Sequence, residues 1–237
     1  MKNYSIKPQE IKLNDEYEVI IIGGGPAGCA AAIASGRKGA KTLLIEATTA
    51  LGGMGTMGLI PGWCPFTDRE KVIHKGIAEE ILNEPKKDVA HMKDKYDWVD
   101  IDHEYLKRVY YKMVTDAGCD VIFGATLCMV DVEEDEIKAI VVNTKSGLFA
   151  YKGKVYIDCT GDGDLATKAG AELLPLKEGE ETQPATHCFK MSNVDDYGYT
   201  NNRFLPRVNP ESPIHKMFDK YDLLINICAL QKQVREW

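Results

Sequence analysis

Val19-Ile20-Ile21-Ile22-Gly23-Gly24-Gly25-Pro26-Ala27-Gly28 is the stretch whose reading decides the fold. Four β-branched residues in a row suit a parallel strand covered on both faces, and the run stops at glycine. Ala27 to Ser35 is rich in alanine and is closed by Gly36 and Gly39, so a helix follows; Thr42 to Glu46 then makes a second buried strand. The glycines between first strand and helix stand as G-x-G-x-x-G. Gly23 permits a tight turn, Gly25 lets the backbone approach a pyrophosphate, and Gly28 lets helix and strand pack closely. The phosphate would sit on the helix N-terminus, where free amides and the helix dipole favour anions. Glu46 lies 21 residues after Gly25, where an acid binds adenosine ribose hydroxyls. A carboxylate there repels a 2′-phosphate, which disfavours NADP and leaves FAD or NAD.

Composition narrows the class around this motif. With 237 residues, 44% of them hydrophobic and 27% charged, the chain reads as a soluble globular protein of one large domain or two small ones. Its formal charge is −7 and no Lys/Arg block exceeds two residues, so nucleic acid is not an expected partner. The seven cysteines form no CxxC pair, which reads as buried thiols in a reducing cytoplasm rather than a zinc site or a disulfide framework. The opening stretch to Tyr17 is polar, so no signal peptide is expected. No run approaches the roughly 20 apolar residues that cross a bilayer, so no membrane span is expected either.

Further along, Leu51 to about Pro85 is marked by glycine and proline, weakly helical at Gly76 to Leu82, and followed by a charged stretch to Asp100; it reads as an insertion. A helix starts at an Asp102 N-cap, stapled by Ile101 and Leu106, and ends at Gly118. Val121 to Phe123 is a third short strand. Leu127 to Val132, Ile137 to Val142 and Leu148 to Tyr151, separated by turn residues, form an antiparallel meander, and Val155 to Ile157 returns as a buried strand. An alternating strand is expected near Thr186 to Met191 and a last helix from Pro213 to Val234.

Three motifs in order carry a resemblance that covers about residues 16 to 195. Val19 to Glu46 resembles the N-terminal fingerprint of flavoproteins with two dinucleotide-binding domains; Leu51-Gly52-Gly53-Met54-Gly55-Thr56 resembles their GG motif; Thr160-Gly161-Asp162-Gly163-Asp164 resembles their second fingerprint. The chain thus resembles the FAD-dependent oxidoreductase family, with its glutathione-reductase-like fold, and more distantly the fumarate reductase flavoproteins. The resemblance implies an α/β fold: a three-layer Rossmann-like FAD-binding domain with a parallel sheet and an antiparallel β-meander over residues 16–56 and 101–182. Residues 57–100 and 183–237 would form a partial α+β substrate domain. It implies FAD as cofactor, held by Gly23, Gly25, Pro26, Ala27, Gly28, Glu46, Gly52, Gly53, Met54, Thr56, Thr160, Gly161 and Asp162, with the backbone of Leu127 at the adenine. An EF-hand reading of the Asp-rich loop lacks the twelfth-position Glu.

The resemblance also implies hydride transfer between a small organic substrate and the flavin. His187 is the candidate general acid or base, weighed against a packed core histidine. Arg203 and Arg207 suit a substrate carboxylate or plain solvation; Cys64 reads as a thiol near the ring or a small buried residue beside Trp63; Met54 and Met57 pack near the flavin. His74, His91, His103 and His215 read as surface residues without ligand spacing, so no metal is expected. The family's closing glycine-containing segment has no counterpart, for no glycine follows Gly198. The expectation is the N-terminal part of a longer or split flavoprotein, with a complementary C-terminal chain or a homo-oligomer as partner, and the alternative is an FAD-binding fragment without turnover of its own.

Overall fold

In a computed structural model of the chain, residues 10–60, 62–63, 71–88 and 99–174 are described, with the single residues 7, 68, 70, 188 and 189. A short strand β1 (Lys12–Asn14) precedes β2 (Val19–Ile22), helix α1 (Pro26–Arg37) and β3 (Thr42–Ile45). Then come β4 (Gly62–Trp63), α2 (Ile77–Asp88), β5 (Val99–Asp100), α3 (His103–Asp116) and β6 (Asp120–Ile122). The chain continues through β7 (Thr126–Glu133), β8 (Glu136–Thr144), β9 (Gly147–Tyr151), β10 (Val155–Asp158) and α4 (Asp164–Lys168). All of them lie in the first of two units, Met1–Leu176. The expected strand at 186–191 and the helix from 213 fall largely or wholly outside the described residues.

Strand β2 is central because its side chains alternate between two cores. The parallel sheet runs β10-β2-β3-β6, with Ile21 level with Leu44 and Ile20 level with Leu43. Ile21 and Leu44 face one way, onto Cys29, Ala32 and Ile33 of α1 and Leu106, Tyr110 and Val114 of α3. Ile20, Ile22, Leu43 and Ile45 face the other way, onto Leu127, Ile140, Val142 and Tyr151 of the second sheet. Covering both faces is what a parallel strand requires. Helices, parallel sheet and antiparallel sheet therefore stack as three layers.

The second sheet has the order β1-β9-β8-β7. Its β7–β8 turn places Glu134 and Asp135 at φ of +50° and +64°, the left-handed pair of a tight hairpin. β1, which lies in the polar opening stretch, adds parallel to β9 through Lys12 opposite Phe149. Helix α2 runs past the expected end at Leu82 and contains Pro85. Ile81 and Leu82 are buried, against the α1–α3 core and against Val99 and Trp63 respectively, and this packing outweighs the hydrogen bond that a proline removes. Helix α3 starts as expected: the Asp102 carboxylate accepts the N–H groups of Glu104 and Tyr105 at 3.0 and 2.9 Å.

Two expectations are corrected here. His103, read as a surface residue because charged residues flank it, is only 4% exposed, with Nδ1 3.1 Å from the Ile101 carbonyl oxygen. It occupies the first position of α3, on a helix end turned into the core. Among the described cysteines only Cys29 and Cys119 are buried, while Cys128 is exposed on β7.

Candidate functional site

The parallel strands end together, and three loops leave that edge. In the first, Gly23 has φ of +97°, and a Cβ there would lie 2.3 Å from the Cys159 carbonyl oxygen. A Cβ on Gly28 would lie 1.8 Å from the carbonyl oxygen of Gly23, so helix and strand touch at that point. Gly25 is different: its φ is −68°, and a Cβ would meet nothing within 4 Å. Neither backbone strain nor protein packing asks for glycine at 25, whereas a group approaching from outside does.

Gly25 is also the N-cap of α1, which has no side-chain cap and no acid in its first turn. The other helix starts on this unit with a recorded acceptor differ. Asp102 caps α3, and the Asp158 carboxylate accepts the Ala166 N–H of α4 at 2.9 Å. The uncapped amides and positive dipole end of α1 are therefore left to an anion.

Glu46 follows β3 and is 7% exposed. Its Oε2 accepts the Gly24 N–H at 2.6 Å and its Oε1 the Thr48 N–H at 2.7 Å, fixing the carboxylate against the first loop. A carboxylate offers about four acceptor positions, so roughly half its capacity is left for other donors.

In the second loop the Gly52 N–H donates to the Gly24 carbonyl at 2.8 Å, which joins it to the first loop. Gly53 packs with its added Cβ position 3.0 Å from Gly25 Cα. A 3₁₀ turn, Gly53–Gly55, leaves the Met54 side chain 62% exposed, while Met57 is also exposed. Thr56 lies beneath the turn, fully buried, with its hydroxyl donating to the Leu51 carbonyl at 2.7 Å. It holds the turn's shape. Leu59 takes a left-handed φ of +58°, a strained conformation that its sequence does not announce.

The third loop leaves β10. Asp158 Oδ1 accepts from the Thr160 N–H at 3.0 Å and the Thr160 hydroxyl at 2.7 Å. Burial pushes the Asp158 carboxyl up, but hydrogen bonds from Ala166, Thr160 and Leu165 outweigh it and hold the group below its usual range. Gly161 has φ of +90° with open space around it, and the Asp162 side chain is exposed. Leu127 is buried by its side chain on β7, opposite Val142, with a bulge beginning after it. Burial raises the Cys29 thiol to about 12, against a Gly52 backbone hydrogen bond that lowers it; Sγ donates to the Gly24 carbonyl at 3.2 Å. It braces the loop from below.

Gly23, Gly25, Glu46, Gly52, Gly53, Met54, Thr160, Gly161 and Asp162 thus lie on loops or strand ends at one edge, with Pro26, Ala27 and Gly28 in the first turn of α1 beside them. His187, Cys64, Arg203, Arg207, His91 and His215 lie outside the described residues. Sequence reasoning missed Asp158, although an Asp two residues before a Thr is the spacing of an Asx turn. It also missed Trp63, whose Nε1 is 3.8 Å from the Cβ position of Gly55. A groove of about 490 Å³ opens away from this edge, between Arg37 of α1, Glu80 of α2 and Arg108 and Lys112 of α3. Its rim is closed by the exposed Arg37–Glu80 ion pair at 2.6 Å.

Against known families, the FAD dependent oxidoreductase profile matches residues 18–228. The chain belongs to this family. FAD is accordingly its cofactor, and the glycine loops, the uncapped α1 and the open position at Gly25 fit a dinucleotide. Among curated relatives, thiamine thiazole synthase of Methanococcus vannielii is 29% identical over 62% of this chain and 56% of its own. Digeranylgeranylglycerophospholipid reductase of Methanocaldococcus jannaschii is 28% identical over 78% of this chain and 47% of its own. The chain therefore spans about half the length of these relatives. The crystal structure of CabE, an aromatic hydroxylase from angucycline biosynthesis, superposes with a TM-score of 0.50 at 14% identity, covering 84% of this chain and 50% of that one. This likeness is one of fold. Among the described residues no helix is long and apolar enough to cross a membrane, and no group of His, Cys, Asp or Glu could hold a metal.

Proposed function

We propose that this chain is the FAD-binding part of an oxidoreductase that moves a hydride between a small organic substrate and the flavin. The observation that carries this reading is the joined pair of glycine loops beside an uncapped α1, with open space at Gly25. The N–H groups of Ala27, Gly28 and Gly53 face the pyrophosphate, with Pro26, which has no N–H, setting the start of α1; Glu46 accepts from the adenosine ribose, and the backbone of Leu127 meets the adenine. Thr160, Gly161 and Asp162 take the other half of the dinucleotide. Thr56 acts by holding its turn. When bound, the flavin supplies the two-electron acceptor; the protein positions the substrate and tunes it.

Residues 57–100 and 183–237 contribute the substrate side in this reading, and His187 holds or moves the substrate proton. Turnover needs further protein, supplied by a complementary chain or by another copy of this one. The half-length match to the curated relatives supports this. A cytoplasmic location agrees with thiols that are free at every described position.

The test is direct. Purified protein should carry the flavin absorbance bands or regain them with FAD, and its melting temperature should rise with FAD and not with NAD. A chain that neither copurifies with nor rebinds FAD refutes the proposal. Bleaching of bound flavin by a substrate in this chain alone refutes the need for further protein.

A further inference from the structure

The order β10-β2-β3-β6 fixes how a dinucleotide lies across the strand ends, and this inference rests on the FAD reading above. Glu46 stands at the end of β3, the α1 N-terminus follows β2, and the third loop follows β10 on the opposite side of β2. A ligand with its ribose at Glu46 and its pyrophosphate on α1 therefore extends its other half over β10. Adenosine lies over β3 and the flavin half over the third loop.

That loop is held by one carboxylate. Asp158 takes the N–H and hydroxyl of Thr160 on one side of Gly161–Gly163 and the N–H of Ala166 on the other. The Thr160 hydroxyl in turn accepts the Asp164 N–H at 2.8 Å. Bonds from both flanks clamp the three residues between them. Within the clamp, Gly161 and Gly163 have φ of +90° and +73°, and among the described residues the N–H groups of Gly161, Asp162 and Gly163 donate to no protein acceptor. The Asp162 side chain makes no hydrogen bond or ion pair there either. Two acids four residues apart have separate tasks: Asp158 is consumed by the fold, and Asp162 is free. Because Asp158 also takes an α4 amide, the start of α4 is not a second phosphate site.

We propose that Asp158 is a positioning residue for the flavin half of FAD: its carboxylate, relayed by the Thr160 hydroxyl, presents the free amides of Gly161–Gly163 and the Asp162 side chain, while the ADP half is bound independently by the α1 loop and Glu46. ADP and FAD therefore report on different parts of the site.

The experiment titrates the parent chain, Asp158→Asn, Thr160→Val and Thr160→Ser with FAD by flavin fluorescence and with ADP by calorimetry. Asp158→Asn should weaken FAD by about tenfold or more, the cost of hydrogen bonds to a charged group, and change ADP by less than about twofold. Thr160→Val should follow it, and Thr160→Ser, which restores the hydroxyl, should recover most of the FAD affinity that Thr160→Val loses. Should Asp158→Asn fail to fold, the Thr160 pair decides alone. Equal weakening of FAD and ADP shows general damage to the fold and overturns the proposal, as does unchanged FAD affinity in Asp158→Asn and Thr160→Val. A parent chain that binds neither ligand overturns the FAD reading and this division with it.

Discussion

Adding one methyl group at Gly28 and one at Gly25 separates packing from ligand approach. Gly28→Ala drives a carbon to within 1.8 Å of a backbone oxygen and should destabilise the protein without ligand by about 3 kcal/mol. Gly25→Ala meets no protein atom, so urea unfolding should move by at most about 1 kcal/mol, the cost of alanine at an N-cap. Its FAD affinity should nevertheless fall, and parental affinity would remove Gly25 from the pyrophosphate site. Glu46→Arg takes away the acceptor for two loop N–H groups and for the ribose. FAD binding should weaken by about 2 to 4 kcal/mol. Unchanged flavin occupancy would show that Glu46 is not the ribose ligand. At this scale the sequence was informative because glycine spacing reflects backbone geometry, which is local. The strain at Leu59 and the burial of His103 were illegible, since both arise from what the rest of the chain packs around them.

Among the elements, α3 was readable almost to the residue, because Asp102, Ile101 and Leu106 together form a start signal with a local mechanism. Asp102→Ala should cost about 1 kcal/mol, lower Tm by about 2 to 4 °C and leave FAD affinity unchanged. A Tm equal to the parent's would mean that the cap is replaced by solvent. The end of α2 differs from the expectation because Pro85, a stop signal in sequence, is itself buried in the structure and the helix runs on to Asp88. β1 went unnoticed because an exposed three-residue strand shows no alternation. The α4 loop carries a pH signature. Asp158 is held below its ordinary value of about 3.9, so its stabilising contribution is complete above that pH and vanishes as pH falls through the lower folded value. Melts of the parent and Asp158→Asn should therefore differ at pH 6, and the gap should close as the pH falls below the ordinary carboxylate range; a constant gap would assign the effect to shape rather than charge.

For the molecule as a whole, order and type of the longer elements were legible from residues 19 to 158 because each carries its own period, and the three layers follow from them; the two-residue strands β4 and β5 are too short to show one. What stayed out of reach was how the loops join: the Gly52–Gly24 hydrogen bond and the Asp158 clamp are tertiary facts without a sequence period. The alternation along β2 has a further result. Ile21 belongs to the helical core and its neighbours Ile20 and Ile22 to the meander core, so a four-residue strand is common to both. Neither layer can lose its packing while the other keeps its wall. Helix signal by circular dichroism and the hydrogen-exchange protection of the meander amides should consequently be lost in one coincident transition, and a mutation in either core should shift both probes by the same amount.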